Sequence, residues 1–112
     1  MRIFYKNKRF EIPVKKVSFF GKFSGLMFRT KETGNLLFDF RRDVEFSLHS
    51  FFVFFDFLVL WLDENNKVVD FRVAKPFLFS IRTKKPFRRI LEIPINRKNS
   101  KIVSFFVGER KI

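Results

Sequence analysis

The sequence predicts a mainly β fold: a compact antiparallel β-sandwich or small barrel of about seven short strands with one short helix. Three observations predict this class. Short apolar stretches alternate with polar residues at a period of two, turn residues separate the stretches, and helical spacing is confined to short segments. With 112 residues and 46% hydrophobic content, the chain can bury one core, so we expect a single β-rich domain over residues 1–112.

The first predicted element is a hairpin. Its arms, Arg2–Lys6 and Arg9–Val14, flank a turn at Asn7-Lys8, where Asn tolerates positive φ. Pro13 cannot donate a backbone hydrogen bond, so the second arm is expected at the edge of a sheet.

A short helix is predicted next, with Ser18 as its N-cap and its end at about Met27. Two glycines weaken this helix, which must therefore pack against the core. Alternating apolar residues then predict two further strands, Asn35–Phe40 and Val44–His49.

The second half of the chain contains the strongest predicted hairpin, formed by Phe57–Leu62 and Lys67–Ala74. The first arm is apolar on both faces and is expected at the centre of a sheet. The second arm alternates and should turn one face inward, with Val69, Phe71 and Val73. Three elements complete the predicted fold: a strand at Phe87–Ile95, a helical turn or strand at Ile102–Phe106 and a terminal strand at Glu109–Ile112.

Composition removes most catalytic and metal chemistry. The chain has no Cys, which excludes disulfides, thiolate nucleophiles and zinc ribbons, and its four Gly form no phosphate-binding loop. His49 is the only His, and the nearest hydroxyls, Ser47 and Ser50, lack the setting of a nucleophile elbow. We therefore expect a protein without cofactor, metal or catalytic residues, and more naturally a binding module than an enzyme.

The charge balance predicts an anionic partner. Lys and Arg number 24 against 11 acids, a net charge of +13, which attracts nucleic acid or another polyanion. One basic segment, residues 82–89, surrounds Phe87, and a second lies after Phe40; cations interleaved with aromatics suit phosphate contact and base stacking. The candidate residues are Arg82, Lys84, Lys85, Arg88 and Arg89, then Arg41 and Arg42. No signature of a known nucleic-acid-binding fold accompanies them, and the Phe residues are expected in the core.

A set of short motifs occurs in a fixed order along the chain: Gly25-Leu26-Met27-Phe28-Arg29, His49-Ser50-Phe51-Phe52-Val53, Val59-Leu60-Trp61-Leu62-Asp63, Lys75-Pro76, Leu91-Glu92-Ile93-Pro94 and Gly108-Glu109. The ordered set resembles the uncharacterised family known as domain of unknown function 192, in its archaeal style. The resemblance implies a compact, mostly antiparallel β domain with no assigned reaction or cofactor. The chain departs from the family pattern at two places: Leu58 occupies the usual aspartate position of a Pro-x-Asp motif, and Asn96 and Arg97 replace a usual Gly.

Three functions remain open at this point. The first is a binding or accessory module with a basic surface; the second is a small-molecule site near Arg29, His49 and Glu92; the third is a structural domain that binds a protein partner. Arg29 could bind an anion or pair with Glu92 across the fold, or it could instead form a structural salt bridge or lie solvated at the end of the helix. Asp56, inside an apolar run, is expected in a turn rather than as a buried acid, because Asp is depleted in strands.

The sequence also bears on location. The longest apolar run, Phe51–Leu62, is shorter than the roughly 20 residues that a membrane-spanning helix needs. The first residues lack the apolar stretch of a signal peptide. We therefore expect a cytoplasmic protein without a transmembrane segment.

Overall fold

Strand pairing in the computed structural model forms two sheets. The structure describes residues 1–17, 26–40, 47–50, 52–78 and 80–110. Within these ranges lie seven strands, a short 3-10 helix and one α-helix. The strands are β1 (Arg2–Tyr5), β2 (Lys8–Glu11), β3 (Lys15–Lys16), β4 (Leu36–Asp39), β5 (Phe57–Leu62), β6 (Val68–Ala74) and β7 (Arg89–Pro94). The predicted mainly β class is confirmed.

The larger sheet has five strands in the order β3-β4-β7-β5-β6, and β1 and β2 form a separate antiparallel hairpin. Every pair in the larger sheet is antiparallel except β3–β4, which is parallel. All six residues of β5 are buried, because this strand has neighbours on both sides and a covering layer on both faces. Its predicted central position is confirmed.

Different layers cover the two faces of the five-stranded sheet. On the helix-covered face, Leu58 and Leu60 of β5 pack with Ile3 of the hairpin and Phe106 of the C-terminal helix. On the loop-covered face, Val59 and Trp61 pack with residues of the connecting loops: Leu26, Leu48, Val53, Phe55, Ile81 and Phe87. The alternation of a strand assigns neighbouring β5 residues to opposite faces.

The helix lies at the C-terminal end of the described chain. A 3-10 helix, Arg97–Asn99, leads into α1, Ser100–Arg110. The side chain of Asn96 caps the 3-10 helix by accepting a hydrogen bond from the backbone N–H of Asn99, 3.1 Å away. The predicted terminal strand at Glu109–Ile112 is therefore wrong for Glu109 and Arg110. The buried residues Ile102, Val103 and Phe106 follow helical spacing, and this resolves the open choice at 102–106.

The N-terminal hairpin is confirmed, but its turn lies one residue earlier than predicted. Lys6 and Asn7 form it, and the positive φ, 53°, belongs to Lys6. The expected helix that starts at Ser18 lies mostly outside the described residues, and Leu26–Phe28 at its predicted end form a turn. Of the predicted strand Val44–His49, residues 44–46 also lie outside them, while Leu48 pairs with Ile81 in an isolated antiparallel bridge.

An irregular pairing between β5 and β6 corrects the predicted face of Val69. Trp61 pairs with Asp70 and Leu62 pairs with Val68, so Val69 is an extra residue on β6. This β-bulge moves Val69 to the loop-covered face, while Phe71 and Val73 pack on the helix-covered face. Strict alternation, which placed the three residues together, is wrong because one inserted residue reverses the facing of those before it.

No helix in the described part of the chain is long and apolar enough to cross a membrane.

Candidate functional site

The first part of the basic segment is an exposed loop held by its own side chains. Arg82, Lys84 and Lys85 are all exposed. Thr83 donates from its hydroxyl to Asp70 Oδ2 of β6 at 2.6 Å and accepts from the backbone N–H of Lys85 at 3.2 Å. Lys85 Nζ donates to the carbonyl of Val69 at 3.0 Å. These bonds fix the loop against the bulged end of β6 and hold its cations at the surface.

The last two cations of the segment have partners within the chain. Arg88 Nη1 lies 3.4 Å from Glu64 Oε2. Arg89 Nε lies 3.3 Å from Asp39 Oδ2, and its Nη1 donates to Asn66 Oδ1 at 2.9 Å. Arg89 therefore joins three parts of the structure, so its first role is structural. Arg41 and Arg42, the other predicted anion-binding residues, lie outside the described residues.

Glu92 is an acid within the core of the sheet. It lies on β7 with 3% exposure and pairs with Leu36 on one side and Val59 on the other. Burial raises the pKa of Glu92 to about 8, and the positive charge of Arg29 opposes this shift. Within the described part of the chain, Oε1 of Glu92 has no hydrogen-bond partner. The carboxyl is therefore held largely protonated near neutral pH.

Arg29 lies close enough to Glu92 for its positive charge to act on the carboxyl; the expected pairing of the two stays a prediction. Arg29 is half-buried, and its Nη1 lies 3.3 Å from the hydroxyl of Thr33. His49, the third small-molecule candidate, is half-buried in the loops that cover the same face, between the buried residues Leu48 and Ser50. A second polar atom on this face, Trp61 Nε1, is buried without a hydrogen-bond partner among the described residues.

Ser50 is a structural hydroxyl rather than a nucleophile. Its side chain is fully buried, donates to the carbonyl of Lys75 at 2.7 Å and accepts from the N–H of Leu78 at 2.6 Å. Its backbone carbonyl accepts from Phe77 at 2.7 Å and from Val53 at 3.2 Å. Ser50 thus ties two loops together. The hydroxyl of Ser47 lies 2.7 Å from that of Ser80.

Four Phe side chains around this junction are exposed, which the sequence did not predict. We call them the phenylalanine platform: Phe28 (70% exposed), Phe52 (46%), Phe54 (62%) and Phe77 (48%). Phe28 and Phe52 stack at a centroid distance of 5.0 Å, and Phe77 contacts Phe52 and Phe54 edge to face at 6.3 and 5.6 Å. The expectation that the Phe residues lie in the core is wrong for these four.

Three members of the platform have left-handed backbones. The φ angles are 58° for Phe28, 57° for Phe52 and 60° for Phe77, a region that costs a non-glycine residue about 1–2 kcal/mol. Backbone hydrogen bonds hold two of these conformations: Phe28 N–H donates to Phe52 O at 2.9 Å, and Phe77 donates to Ser50 O. An alternating apolar pattern predicts inward side chains only for regular strands. These residues lie in left-handed turns, which the pattern does not indicate.

The two departures from the family pattern have clear positions. Leu58, at the usual aspartate position, is fully buried in the helix-covered face. Asp56 is only half-buried and forms an ion pair with Lys75, 2.6 Å from Nζ to Oδ2, so it is not a buried acid, as expected. It lies between a bend at Phe55 and the start of β5 rather than in a turn. Asp63 closes the β5–β6 turn by accepting from the backbone N–H groups of Asn65 and Lys67, as expected for a hairpin.

The fold and these positions define a small, mainly β domain with a basic loop, a buried acid and an exposed aromatic cluster. The chain matches the model of the family described as "Uncharacterized ACR", domain of unknown function 192, over residues 4–103. It belongs to this family, and the resemblance drawn from its motifs is confirmed at that level. The archaeal style of the resemblance stays a prediction.

Two solved structures share the fold. One, described as a putative transcription regulator from Sinorhizobium meliloti 1021, is 17% identical, with a TM-score of 0.75 over 90% of this chain and 82% of that one. The other is a protein of unknown function from Novosphingobium aromaticivorans DSM 12444, 18% identical, with a TM-score of 0.64 over 83% of this chain and 68% of that one. No curated protein matches the chain. At these identities the likeness establishes the fold alone.

Proposed function

We propose that this protein is a non-catalytic, cytoplasmic binding module that contacts nucleic acid through the basic segment 82–89. The observation that carries the proposal is the loop that displays Arg82, Lys84 and Lys85 while hydrogen bonds to β6 hold it in place. A fixed loop of exposed cations loses little conformational freedom when it meets a row of phosphates, and binding releases the counterions that the phosphates had condensed.

Two further observations support this proposal. The net charge of +13 attracts polyanions at long range and raises their rate of association. One protein with the same fold is described as a putative transcription regulator. The proposed contacts come from Arg82, Lys84 and Lys85; Arg88 and Arg89 contribute to the local positive potential while they hold the fold.

The test is fluorescence anisotropy with labelled DNA and RNA oligonucleotides, titrated from low to high salt. An Arg82→Glu/Lys84→Glu variant, which leaves the anchoring Lys85 in place, is compared with a Lys8→Glu/Arg9→Glu control, which makes the same charge change on exposed residues of β2. We expect the first variant to lose affinity and to lower the salt slope by about one for each lost phosphate contact. Equal losses in both variants would show that net charge, and not this segment, binds the probe; the absence of binding at low salt would reject the function.

A second candidate is a small-molecule site near Arg29, His49 and Glu92, and one observation favours it. Glu92 Oε1 and Trp61 Nε1 are buried polar atoms on the same face, without hydrogen-bond partners among the described residues, and the positive charge of Arg29 acts on Glu92. A small ligand with both a donor and an acceptor would satisfy such groups. A panel of small carboxylic acids and amides, screened by thermal shift, should then stabilise the wild type and leave Glu92→Gln unaffected; no stabilisation by any member counts against this site.

A further inference from the structure

We infer that the phenylalanine platform is a base-stacking site, and that the nucleic acid it accepts is single-stranded. This inference rests on the proposed function, which it makes more specific. In a duplex the base faces are covered by their neighbours, whereas in a single strand an unstacked base can lie on an exposed aromatic ring. The platform and the basic segment together would supply stacking and phosphate contact.

The ring geometry suits this role. Phe28 and Phe52 lie nearly parallel, with an interplanar angle of 17° and a centroid distance of 5.0 Å. Phe28 is nevertheless 70% exposed, so its outer face is open and a base can extend the existing stack. Phe54, 62% exposed at the other end of the cluster, is in edge-to-face contact with Phe77 and offers a second ring.

Unfavourable backbone conformations hold these rings at the surface. Three of the four residues are left-handed, and such conformations persist only where the surrounding structure determines them. The buried Ser50 supplies part of that support, because its hydroxyl and its backbone groups bond to Lys75, Phe77 and Leu78. Strained residues of this kind cluster at binding sites, where they fix a side chain in an orientation that a relaxed turn would not give.

The platform and the basic segment are connected by one short stretch of chain. On either side of residue 79, Ser50 N–H donates to Leu78 O, and Leu48 and Ile81 are hydrogen-bonded in both directions. Arg82 follows directly. Phe77 and Arg82 are both exposed, and a fully extended chain would place their Cα atoms at most about 18 Å apart. An oligonucleotide of several nucleotides is long enough to reach from one to the other.

Charge and area decide among the occupants of this surface. Four rings at these exposures present roughly 400–500 Å² of apolar surface, less than the ~800 Å² that each partner contributes to a standard protein interface. A second copy of the chain would also bring another +13 against the first. Lys31 and Lys75 lie within three residues of the platform, and both are exposed. An anionic partner with flat apolar faces fits this combination, and single-stranded nucleic acid has both properties.

The test compares oligonucleotides that differ only in their bases. A labelled 12-nucleotide oligothymidylate, an abasic oligomer of the same length and a duplex of the same length are titrated against the full chain by anisotropy at fixed salt. We expect the oligothymidylate to bind about tenfold or more tightly than the abasic oligomer, because each stacked base adds this much. The duplex should bind more weakly than the oligothymidylate, since its base faces are covered.

The matched variant is Phe28→Leu/Phe54→Leu, which keeps apolar side chains at both exposed positions but removes the aromatic faces. It should lose the preference for bases and retain the affinity for the abasic oligomer. Equal affinity of the wild type for both oligomers would overturn the inference and leave the proposed function standing, whereas no binding of either would reject both. A further arm of the test uses vesicles of phosphatidylserine and phosphatidylcholine. If the wild type binds only the vesicles, the platform contacts a membrane surface. If the Leu variant keeps the preference for bases, the platform binds another apolar partner.

Discussion

The two faces of the five-stranded sheet differ in what covers them and in what they contain. The helix-covered face buries aliphatic and aromatic side chains, among them Leu60 and Phe106, against regular elements. The loop-covered face buries an acid, Glu92, and an indole N–H, Trp61 Nε1, beneath loops with left-handed residues. One sheet thus presents an apolar face that forms a conventional core and a second face that buries polar atoms without hydrogen-bond partners among the described residues.

This difference leads us to expect that the helix-covered face contributes mainly to stability and the loop-covered face mainly to the proposed binding. Apolar burial against a helix contributes favourably without any requirement for specific polar partners. Buried polar atoms and left-handed residues each cost free energy, and they persist where a site needs them. The basic loop and the phenylalanine platform both adjoin the loop-covered face, so we expect substitutions on the two faces to have different consequences.

The largest contrast should come from two Phe residues, one on each side. Phe106 is fully buried in the helix-covered face and Phe54 is 62% exposed. Phe106→Ala should lower the free energy of unfolding by about 3–5 kcal/mol, because it removes buried surface and leaves a cavity. Phe54→Ala should change it by less than about 1 kcal/mol. Urea denaturation of both variants measures this contrast, and similar losses would show that the platform is part of the core.

A smaller effect, dependent on pH, should come from Glu92. Its pKa rises from 4.5 in the unfolded chain to about 8 in the fold, so the folded state retains a proton that the unfolded state releases. The contribution is neutral below about pH 4.5, and stability falls as pH rises toward 8, by at most about 1.4 kcal/mol per pH unit. Between pH 5.5 and 7.0 the wild type should lose up to about 2 kcal/mol relative to Glu92→Gln.

The control for this measurement is Glu64→Gln, which alters an exposed acid of the β5–β6 turn and should retain the wild-type dependence on pH. If urea denaturation gives Glu92→Gln the same slope against pH as the wild type, then Glu92 is ionised in the fold and the loop-covered face is more polar than we describe.

The smallest effect should come from the exposed ion pair between Lys75 and Asp56, beside the platform. Solvent screens such pairs, and Lys75→Gln should change the free energy of unfolding by less than about 1 kcal/mol. Lys101→Gln, an exposed lysine on α1, is the matched control. Thermal unfolding at low and high salt measures both. A loss well above that of the control would mean that surface charge, rather than buried groups, distinguishes the loop-covered face.

Regular elements were predictable from the sequence because their patterns are local. The apolar run Phe57–Leu62 predicted the central strand, and the alternation of Leu91 and Ile93 predicted the buried face of β7. The bulge at Val69 was not predictable, since one extra residue leaves no mark on the composition of the strand. The C-terminal helix was predictable only in part: a helical turn and a strand both stayed open at residues 102–106, because short apolar segments fit either, and the strand predicted at Glu109–Ile112 was wrong for Glu109 and Arg110.

The candidate site was predictable only in part. The exposed cations of the loop at 82–85 follow from composition, because charged residues seldom lie in a core. The ion pairs of Arg88 and Arg89 join residues that are far apart in sequence, and the platform depends on backbone turns that an apolar pattern cannot indicate. Arg29 and Glu92 were named together from the sequence, and the structure adds that the acid is buried, which raises its pKa to about 8.

The bulge in β6 also bears on aggregation. Within the described sheet β6 is an edge strand, and an exposed edge invites pairing with another chain. Here Phe4 of the hairpin bonds to Asn66 beside the start of the strand, Val69 interrupts the ladder, and Lys85 occupies the carbonyl of Val69. The loop that we propose for phosphate contact therefore also covers part of this edge. A chain without Lys85 would lose a contact with its partner and would also expose the edge to pairing with another copy of the chain.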